Sequence, residues 1–347
     1  MARVSVIGVL TAGGDCPGLN ACVRGVVGRA TTTHGIEVVG IRNGWEGLMH
    51  GHTLPLTRDS VRGIVGRGGT FLGTSRLDPY VHGDGYESVR ETIESNGIDA
   101  LVVIGGDGTL RSALRLAEEG LPVVGVPKTI DNDIAATDVT FGFDTAVQIA
   151  TEAIDRIATT AESHNRVMLV EVMGRTKGWI ATYAGMAAGA DAILVPEQDI
   201  DLEGVAELLR RRHRHGHSYS IVVVAEGVRL PESLGGGTAT QGLDAFGFER
   251  LGGVAYRIAP AIEALTGFES RVTVLGHLQR GGTPTANDRV LATRFGAAAA
   301  DFAVQGRSGV MVALQGTQMV AVPLAEACAE IRGVDPELFG VARTFFG

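Results

Sequence analysis

The sequence predicts an α/β fold with two Rossmann-like lobes, each a mostly parallel sheet covered by helices in a three-layer α/β/α arrangement. Short apolar segments alternate with longer helical patterns along most of the 347 residues, which is typical of parallel strands joined by helices. The pattern occurs before about residue 145 and again after it. The chain is also longer than one typical domain of roughly 100–200 residues.

The first part of the chain contains four apolar segments bounded by glycine, proline or charged residues. We expect strands at 4–10, 37–41, 100–104 and 122–126. Helical patterns lie between them, at 19–33, 85–95 and 109–119. This order favours a parallel sheet with helices on both faces.

The second part repeats the alternation without a fixed period. We expect strands at 167–172, 192–195 and 220–225, and helices at 145–163, 179–188 and 202–213. Residues 227–253 are rich in glycine and follow a strand, so we expect an irregular surface insertion there.

Composition limits the possible partners. The formal net charge of −9 disfavours nonspecific binding to nucleic acid, and no apolar run approaches the roughly 20 residues of a transmembrane helix. The three cysteines have no paired spacing, and no signal-peptide pattern opens the chain. We therefore expect a cytoplasmic protein with free thiols that binds neither nucleic acid nor membrane.

Two polar segments follow neighbouring predicted strands. Residues 105–109 read GGDGT and residues 127–133 read PKTIDND. Ligands of open α/β sheets bind outside the carboxyl ends of the strands, and glycine-rich loops there bring backbone N–H groups to phosphate oxygens. Either segment alone is weak evidence and could be a tight turn. Together they predict phosphoryl transfer.

The aspartates of these segments are candidates for the chemistry. Asp131 can accept the proton of an attacking hydroxyl, with Asp133 nearby and Thr129 as a donor to the phosphoryl group. Asp107 can bind Mg²⁺, which commonly uses one or two carboxylates with phosphates and waters. Gly14, after the first strand, lets a backbone N–H approach the phosphoryl group. The alternatives are a solvated turn that caps the next helix for 131–133, an N-cap or turn for Asp107, and a tight turn for Gly14.

Six segments carry a resemblance over nearly the whole chain. They lie, in order, at 8–20 (GVLTAGGDCPGLN), 67–76 (RGGTFLGTSR), 105–109, 127–133, 170–175 (VEVMGR) and 274–282 (VLGHLQRGG). The sequence resembles the 6-phosphofructokinase family, in the branch that includes ATP- and pyrophosphate-dependent enzymes. The resemblance implies phosphorylation of the 1-hydroxyl of fructose 6-phosphate with Mg²⁺ as cofactor.

The resemblance also implies a domain organisation, with the active site in the cleft between the lobes. The helical segment 284–305 would cross back to the first lobe, and 310–323 would join it. The donor-binding lobe would comprise 1–145 plus about 284–328, and the fructose 6-phosphate lobe 146–283 plus about 329–347.

The resemblance assigns roles to individual residues. The catalytic residues would be Asp131, Arg175, Thr129 and Gly14. The donor would contact Gly14, Arg76, Gly106, Asp107, Gly108, Thr109 and Lys128, with Asp107 as the metal ligand. The 6-phosphate would be bound by Arg166, Arg271, His277 and Arg280, and the sugar by Met173, Gly174 and Glu226, beside Thr129, Asp131, Asp133 and Arg175. In the family, residues matching Arg166 and Arg271 come from the neighbouring subunit, which implies a homotetramer, or else a homodimer, with shared active sites.

Two residues point to different phosphoryl donors. Pyrophosphate-dependent relatives carry aspartate where this chain has Gly108, and they carry a lysine that this chain retains as Lys128. An aspartate at 108 would repel a nucleotide phosphate, so its absence leaves space for ATP. We therefore expect ATP as the donor, with pyrophosphate as the alternative. A non-catalytic regulatory subunit and a kinase of the diacylglycerol or NAD type are disfavoured, because the catalytic and sugar-phosphate segments are both present.

The effector site that bacterial members of the family use is only partly retained. Arg24 and Arg58 match its basic residues, whereas Gly28 and Ala158 stand where the family has arginines. We therefore expect weak control by nucleotide or phosphoenolpyruvate at this site.

Overall fold

The computed structural model describes residues 4–81, 83–243 and 249–347. The chain forms two compact units, Met1–Thr145 with Arg280–Ile331 and Ala146–Gln279 with Arg332–Gly347. Within the described ranges, no helix is both long and apolar enough to cross a membrane. Which substrate each unit binds stays a prediction.

The strands are short and mostly buried. In chain order they are β1 Val6–Thr11, β2 Glu37–Ile41, β3 Thr53–Leu56, β4 Ala100–Gly105, β5 Val123–Thr129, β6 Phe141–Gly142, β7 Val167–Val172, β8 Ala192–Leu194, β9 Ser220–Ala225, β10 Thr240–Leu243, β11 Glu249–Leu251, β12 Ser270–Val274, β13 Val310–Gln315 and β14 Gln318–Pro323.

The helices connect these strands. They are α1 Leu19–Arg29, α2 Gly44–Met49, α3 Gly85–Ser95, α4 Asp107–Glu118, α5 Phe143–His164, α6 Trp179–Ala187, α7 Leu202–Arg214, α8 Val254–Thr266, α9 Ala286–Val304, α10 Leu324–Ala327 and α11 Pro336–Thr344. A π-helical turn, Ala30–His34, continues α1.

The first unit contains one sheet with the order β14-β13-β5-β4-β1-β2-β3, and β6 pairs with β5 off this path. The pairs around β1, β4 and β5 are parallel, whereas β3 and β14 are antiparallel to their neighbours. Helix α4 buries Leu110, Ala113 and Leu116 in the core of this unit. These residues recur every three positions, so they share one face of the helix. Each leucine contributes roughly 1.5–3 kcal/mol by its burial, which anchors α4 behind the loop that precedes it.

Two glycines set the approach of α1 to α9 in this unit. A side chain at Gly25 would begin 2.5 Å from the carbonyl oxygen of Thr293, and one at Gly296 would begin 2.1 Å from that of Cys22. Both distances are shorter than real Cβ contacts, and backbone cannot move aside as a side chain can. Alanine at either position would therefore force the two helices apart.

The second unit contains a parallel sheet with the order β12-β7-β9-β8 and a separate antiparallel hairpin of β10 and β11. Strands β7 and β9 are buried at every position, as expected for a sheet covered on both faces. Strand β12 lies at an edge of the sheet and is partly exposed.

The predicted α/β class with mostly parallel sheets is confirmed, but several elements differ from the prediction. Helix α4 begins at Asp107, two residues before the predicted start, because Gly106 is already its extended N-cap. The segment 310–323, for which the sequence analysis names no strands, forms the antiparallel pair β13 and β14. The insertion predicted at 227–253 contains β10 and β11 and is therefore not wholly irregular, although its residues 244–248 lie outside the described ranges. The sequence interpretation missed α2, β3, α8 and β12.

Candidate active site

Three parallel strands of the first unit end at the same edge of the sheet. Thr11 at the end of β1 is level with Ile104 in β4, and Gly105 is level with Pro127 in β5. The amide of Ala12 continues this alignment by donating to the carbonyl oxygen of Ile104, at 3.0 Å. The loop that contains Gly14, called the phosphate loop below, therefore leaves the sheet beside the GGDGT segment and the PKTIDND segment.

The loop around Gly14 is held from both sides. The amide of Gly13 donates to the carbonyl of Ser75 at 2.9 Å, and the hydroxyl of Thr74 donates to the carbonyl of Gly13 at 2.6 Å. These bonds fix the loop to the segment that carries Arg76, whose side chain is exposed. Gly14 and Arg76, which are both predicted to bind the phosphoryl donor, thus lie on two segments that these hydrogen bonds hold together.

Lys128 lies buried beneath this loop. Its side chain is 3% exposed, and its ammonium donates a hydrogen bond to the carbonyl oxygen of Gly14. Burial lowers the pKa of Lys128, and Asp131 and Asp15 act in the opposite direction. The lysine predicted to contact the donor is therefore also a structural anchor of the phosphate loop.

Arg280, which is predicted to bind the 6-phosphate, belongs to the first unit. Its Nη1 donates to the carbonyl oxygen of Asp15 at 3.3 Å. A Cβ atom on Gly14 would lie 2.7 Å from the same nitrogen. The guanidinium can thus lie this close to the phosphate loop only because Gly14 has no side chain.

The GGDGT segment forms a tight turn from β4 into α4. A side chain at Gly105 would begin 2.3 Å from Cβ of Thr109, so the turn closes only with glycine there. Gly106 is the N-cap, and Asp107 is the first helical residue. A Cβ on Gly108 would have no atom within 4 Å, and this residue is exposed. The turn therefore presents backbone N–H groups of a helix N-terminus beside open space.

Asp107 is paired with the next turn of its own helix. Nε of Arg111 donates to both carboxylate oxygens of Asp107, at 2.9 and 3.1 Å. This hydrogen bond raises the pKa of Arg111 above its ordinary value. Sequence reasoning did not identify Arg111, although its spacing of four residues from Asp107 is the signal for such a pair.

The residues around Asp107 suit a metal ion that arrives with phosphates. Among the residues that the structure describes, no three His, Cys, Asp or Glu side chains are grouped to hold a metal. Asp107 provides a carboxylate, 19% exposed, at the N-terminus of α4. Mg²⁺ is commonly bound by one or two carboxylates with phosphate oxygens and waters, so this donor set fits a Mg²⁺–phosphate complex.

The PKTIDND segment is buried rather than solvated. Asp131, Asn132 and Asp133 are 8%, 2% and 5% exposed. Asn132 has a left-handed backbone with φ of 52°, and its side-chain oxygen accepts the amide of Thr140 at 3.0 Å. The amide of Asp131 donates to the hydroxyl of Thr129 at 3.0 Å. A solvated turn, the alternative interpretation of this segment, is therefore wrong, because the segment is buried and internal hydrogen bonds hold its backbone at Asp131 and the side chain of Asn132.

In the second unit, β7 and β9 bring four predicted residues together. Met173, Gly174 and Arg175 follow β7, and Glu226 follows β9, which is adjacent and parallel. The carboxylate of Glu226 accepts the amide of Arg175 at 2.9 Å. Arg175 itself has a φ of 54°, a conformation that is uncommon without glycine. Glu226 thus stabilises the backbone that orients Arg175.

Gln279 is a residue that the sequence interpretation missed. It is fully buried in the turn Gly276–Arg280, which also carries the exposed His277. Its Oε1 accepts the amide of Met173 at 3.3 Å, and its Nε2 donates to the carbonyl of Gly276 at 3.1 Å. Gln279 therefore connects two loops predicted to bind the sugar phosphate.

Arg166 and Arg271 share one carboxylate. Nε of Arg166 donates to Glu269 at 3.0 Å, and Nη2 of Arg271 forms an ion pair with the other oxygen. These arginines lower the pKa of Glu269. Arg271 lies in the edge strand β12, level with Met168 of β7. The two arginines predicted to reach a neighbouring subunit are thus held together at the edge of a sheet.

A cavity of about 770 Å³ in the first unit contains the partly retained effector residues. Arg24, Gly28 and Arg58 line it, with Arg29 and Arg62. Arg29 is paired with Asp301 at 2.7 Å and Arg62 with Asp59 at 3.1 Å, so part of this positive charge is already neutralised.

Known proteins resemble the whole chain. The Phosphofructokinase family profile matches residues 6–303. The pyrophosphate–fructose 6-phosphate 1-phosphotransferase of Amycolatopsis methanolica is 56% identical over 341 residues, 98% of this chain and 99% of the relative. The ATP-dependent 6-phosphofructokinase of Mycobacterium tuberculosis is 52% identical over 343 residues, again 98% and 99%.

A solved structure agrees with these relatives. The phosphofructokinase of Pichia pastoris in the T-state is 32% identical, with a TM-score of 0.83 over 99% of this chain. This chain spans 37% of that longer protein. The resemblance inferred from the six sequence segments is confirmed: the chain belongs to the phosphofructokinase family.

Proposed function

We propose that the protein is an ATP-dependent 6-phosphofructokinase, which transfers the γ-phosphoryl group of Mg-ATP to the 1-hydroxyl of fructose 6-phosphate. The observation that carries this proposal is the register of β1, β4 and β5, whose ends lie side by side at one edge of the first sheet, just before the loops that carry Gly14, Asp107 and Asp131. It joins a phosphate-binding loop, a metal ligand and a base, which are the parts that phosphoryl transfer requires. The names of two relatives above 50% identity support a phosphofructokinase reaction, and they differ in the donor, which is pyrophosphate in one and ATP in the other.

Asp131 acts as the general base. A sugar hydroxyl is a weak nucleophile at neutral pH, and a fixed carboxylate accepts its proton as the new P–O bond forms. Burial and the bond from its amide to Thr129 restrict the loop that carries Asp131. Restricting the base lowers the entropic cost of reaching the reactive geometry. Asp133, two residues further, contributes to the same substrate-binding turn.

Charge on the transferred phosphoryl group is stabilised by several hydrogen-bond donors. We assign the backbone N–H of Gly14, the hydroxyl of Thr129 and the guanidinium groups of Arg76 and Arg175 to this role. Donors fixed in advance stabilise the transition state without reorganisation during the reaction. Arg175 is fixed by the bond from its own amide to Glu226.

Asp107 would hold the Mg²⁺ of the metal–donor complex. When bound, this ion neutralises negative charge on the donor phosphates. Gly106, Gly108 and Thr109 supply the turn on which those phosphates rest, since the N-terminus of α4 directs N–H groups toward them.

The acceptor is bound through its phosphate and its sugar. We assign Arg166, Arg271, His277 and Arg280 to the 6-phosphate, because guanidinium groups bind phosphate bidentately and stay charged. Met173, Gly174 and Glu226 contact the sugar. Arg166 and Arg271 serve a neighbouring subunit, so the enzyme is a homotetramer, or else a homodimer, with shared sites. Its cytoplasmic location stays a prediction from the cysteines.

Pyrophosphate is the alternative donor. The Amycolatopsis methanolica relative is named for it, and Lys128 provides a cation near the phosphate loop. The open space around Gly108 favours ATP, because no side chain restricts the region beyond the metal ligand.

The test is a coupled assay of fructose 1,6-bisphosphate formation with ATP or pyrophosphate at equal Mg²⁺. We expect turnover with ATP that requires both Mg²⁺ and fructose 6-phosphate. Turnover with pyrophosphate alone would overturn the donor assignment. No turnover with either donor, by a folded oligomer, would instead indicate a regulatory subunit.

A further inference from the structure

The guanidinium of Arg111 is the cation nearest to the proposed metal ligand. Its Nε bridges the two oxygens of Asp107, which are the atoms that a metal ion would use. Its side chain is 48% exposed, and Asp107 is its hydrogen-bond partner in the described part of the chain. A guanidinium has five N–H donors, so most of its binding capacity faces solvent beside the donor site.

The next arginine of the same helix is engaged differently. Arg115 lies with its guanidinium carbon 3.7 Å from the centre of the Tyr80 ring. Such a cation–π contact satisfies the charge within the fold. Arg111 has no comparable aromatic contact among the described residues, and this contrast singles it out.

We propose that Arg111 is a donor-binding residue, which Asp107 holds in the free enzyme and which moves to the donor phosphates when the metal–donor complex binds. The inference rests on the proposed function, because it requires that Asp107 bind the metal of the donor. It adds to the reaction a cationic residue that the sequence interpretation did not include.

Electrostatic interactions explain why Arg111 would leave Asp107 and bind the donor phosphates. A metal ion on Asp107 replaces the bond to Arg111 and repels its positive charge. The phosphates that arrive with the metal are the nearest uncompensated negative groups, and the planar guanidinium binds phosphate bidentately. Leaving Asp107 costs little, because the metal would replace the positive charge beside that carboxylate and because ion pairs four residues apart on a helix are weak.

An ordinary helical ion pair is the competing explanation. The pair of Arg90 and Glu94 in α3 is a comparable example: its spacing is also four residues and its arginine is 45% exposed, although its distance is 3.4 Å and its carboxylate is 69% exposed, against 19% for Asp107. Arg90→Gln therefore controls for the loss of one exposed pair from a helix of the same unit.

The experiment compares donor binding by Arg111→Gln, Arg111→Lys, Arg90→Gln and the wild type. Calorimetry measures the Kd of Mg²⁺ with a nonhydrolysable ATP analogue, and separately of Mg²⁺ with imidodiphosphate, without fructose 6-phosphate. We expect Arg111→Gln to weaken binding of the preferred analogue about tenfold, as for a hydrogen bond to a charged group. Arg111→Lys should recover part of this loss, and Arg90→Gln should bind like the wild type. Arg111→Gln and Arg90→Gln should have similar melting temperatures.

Asp107→Asn distinguishes a failure of the role proposed for Arg111 from a failure of the proposed donor site. Weak binding by Asp107→Asn, with wild-type binding by Arg111→Gln, would overturn the role of Arg111 and leave the proposed function intact. No Mg²⁺-dependent binding of either analogue by the wild type would overturn the donor site itself, and the role of Arg111 with it.

Discussion

Gly108→Asp tests the donor assignment by adding one negative charge to the proposed nucleotide path. The structure provides room for the new side chain, because a Cβ at this position meets no atom within 4 Å and the backbone φ is not positive. Gly108 is the second residue of α4, where a negative charge is favourable. Replacing a helical glycine also lowers the flexibility of the unfolded chain. The variant should therefore be as stable as the wild type or more stable.

The same substitution should weaken donor binding. A carboxylate about 6 Å from one phosphate charge costs about 3 kcal/mol at an effective dielectric constant of 20, and about half of that at 40. Gly108 is exposed, so solvent screens part of this repulsion. Arg111, three residues further along α4, can neutralise another part. We therefore expect the Kd of Mg-ATP to rise about 10- to 100-fold.

The assay pairs binding with stability. Calorimetry with the ATP analogue measures Kd, and thermal unfolding measures stability. Gly108→Ala controls for the loss of glycine, and Gly108→Asn controls for the size of the new side chain. Both should bind the analogue within a few-fold of wild type, because neither adds charge.

The result that refutes this reasoning is a wild-type Kd for the ATP analogue in a correctly folded Gly108→Asp. Equal weakening by Gly108→Asn and Gly108→Asp would show that size rather than charge excludes the nucleotide.

Three further predictions concern the base, the subunit contacts and the effector cavity. Asp131→Asn should lower kcat by about 10²- to 10⁴-fold with little change in the KM values; near-normal turnover of the folded variant would remove Asp131 as the base. Arg271→Ala should raise the KM for fructose 6-phosphate but not for the donor, and mixed oligomers of Arg271→Ala with Asp131→Asn should recover activity that neither variant has. Mixed oligomers that stay inactive would argue against shared sites. Phosphoenolpyruvate should inhibit weakly, because part of the cationic lining of the effector cavity is already paired within the fold. Strong saturable inhibition that Arg24→Ala abolishes would contradict this expectation.

The sequence predicted the buried strands well because their signal is local. Strands β2, β7 and β9 have the predicted bounds, since a short segment of mostly apolar residues defines each of them. Strands β3 and β12 were missed because both lie at sheet edges and are only partly buried. Edge strands carry mixed polarity, so sequence periodicity does not distinguish them from loops.

The contacts within the site were less predictable than its residues. The six sequence segments contain the candidate ligands, yet Gln279, Glu269 and Arg111 emerged only from the structure. Gln279 joins loops more than 100 residues apart in sequence, and such contacts leave no local pattern. Arg111 was predictable in principle from its spacing to Asp107, but only once the helix was known to begin at Asp107 rather than at residue 109.

Lys128 illustrates how packing changes the meaning of a sequence signal. Read from the sequence, it is a cation that marks pyrophosphate-dependent relatives. In the structure its ammonium is buried and bonded to the carbonyl of Gly14, so the charge has a structural use that does not depend on the donor. A buried lysine without such a partner would destabilise the fold, so stability alone accounts for a lysine at this position. A Cβ at Gly108 would meet no atom of the described residues within 4 Å, so packing does not restrict the side chain at this position. The unconstrained position therefore carries more information about the donor than the constrained one, and it favours ATP.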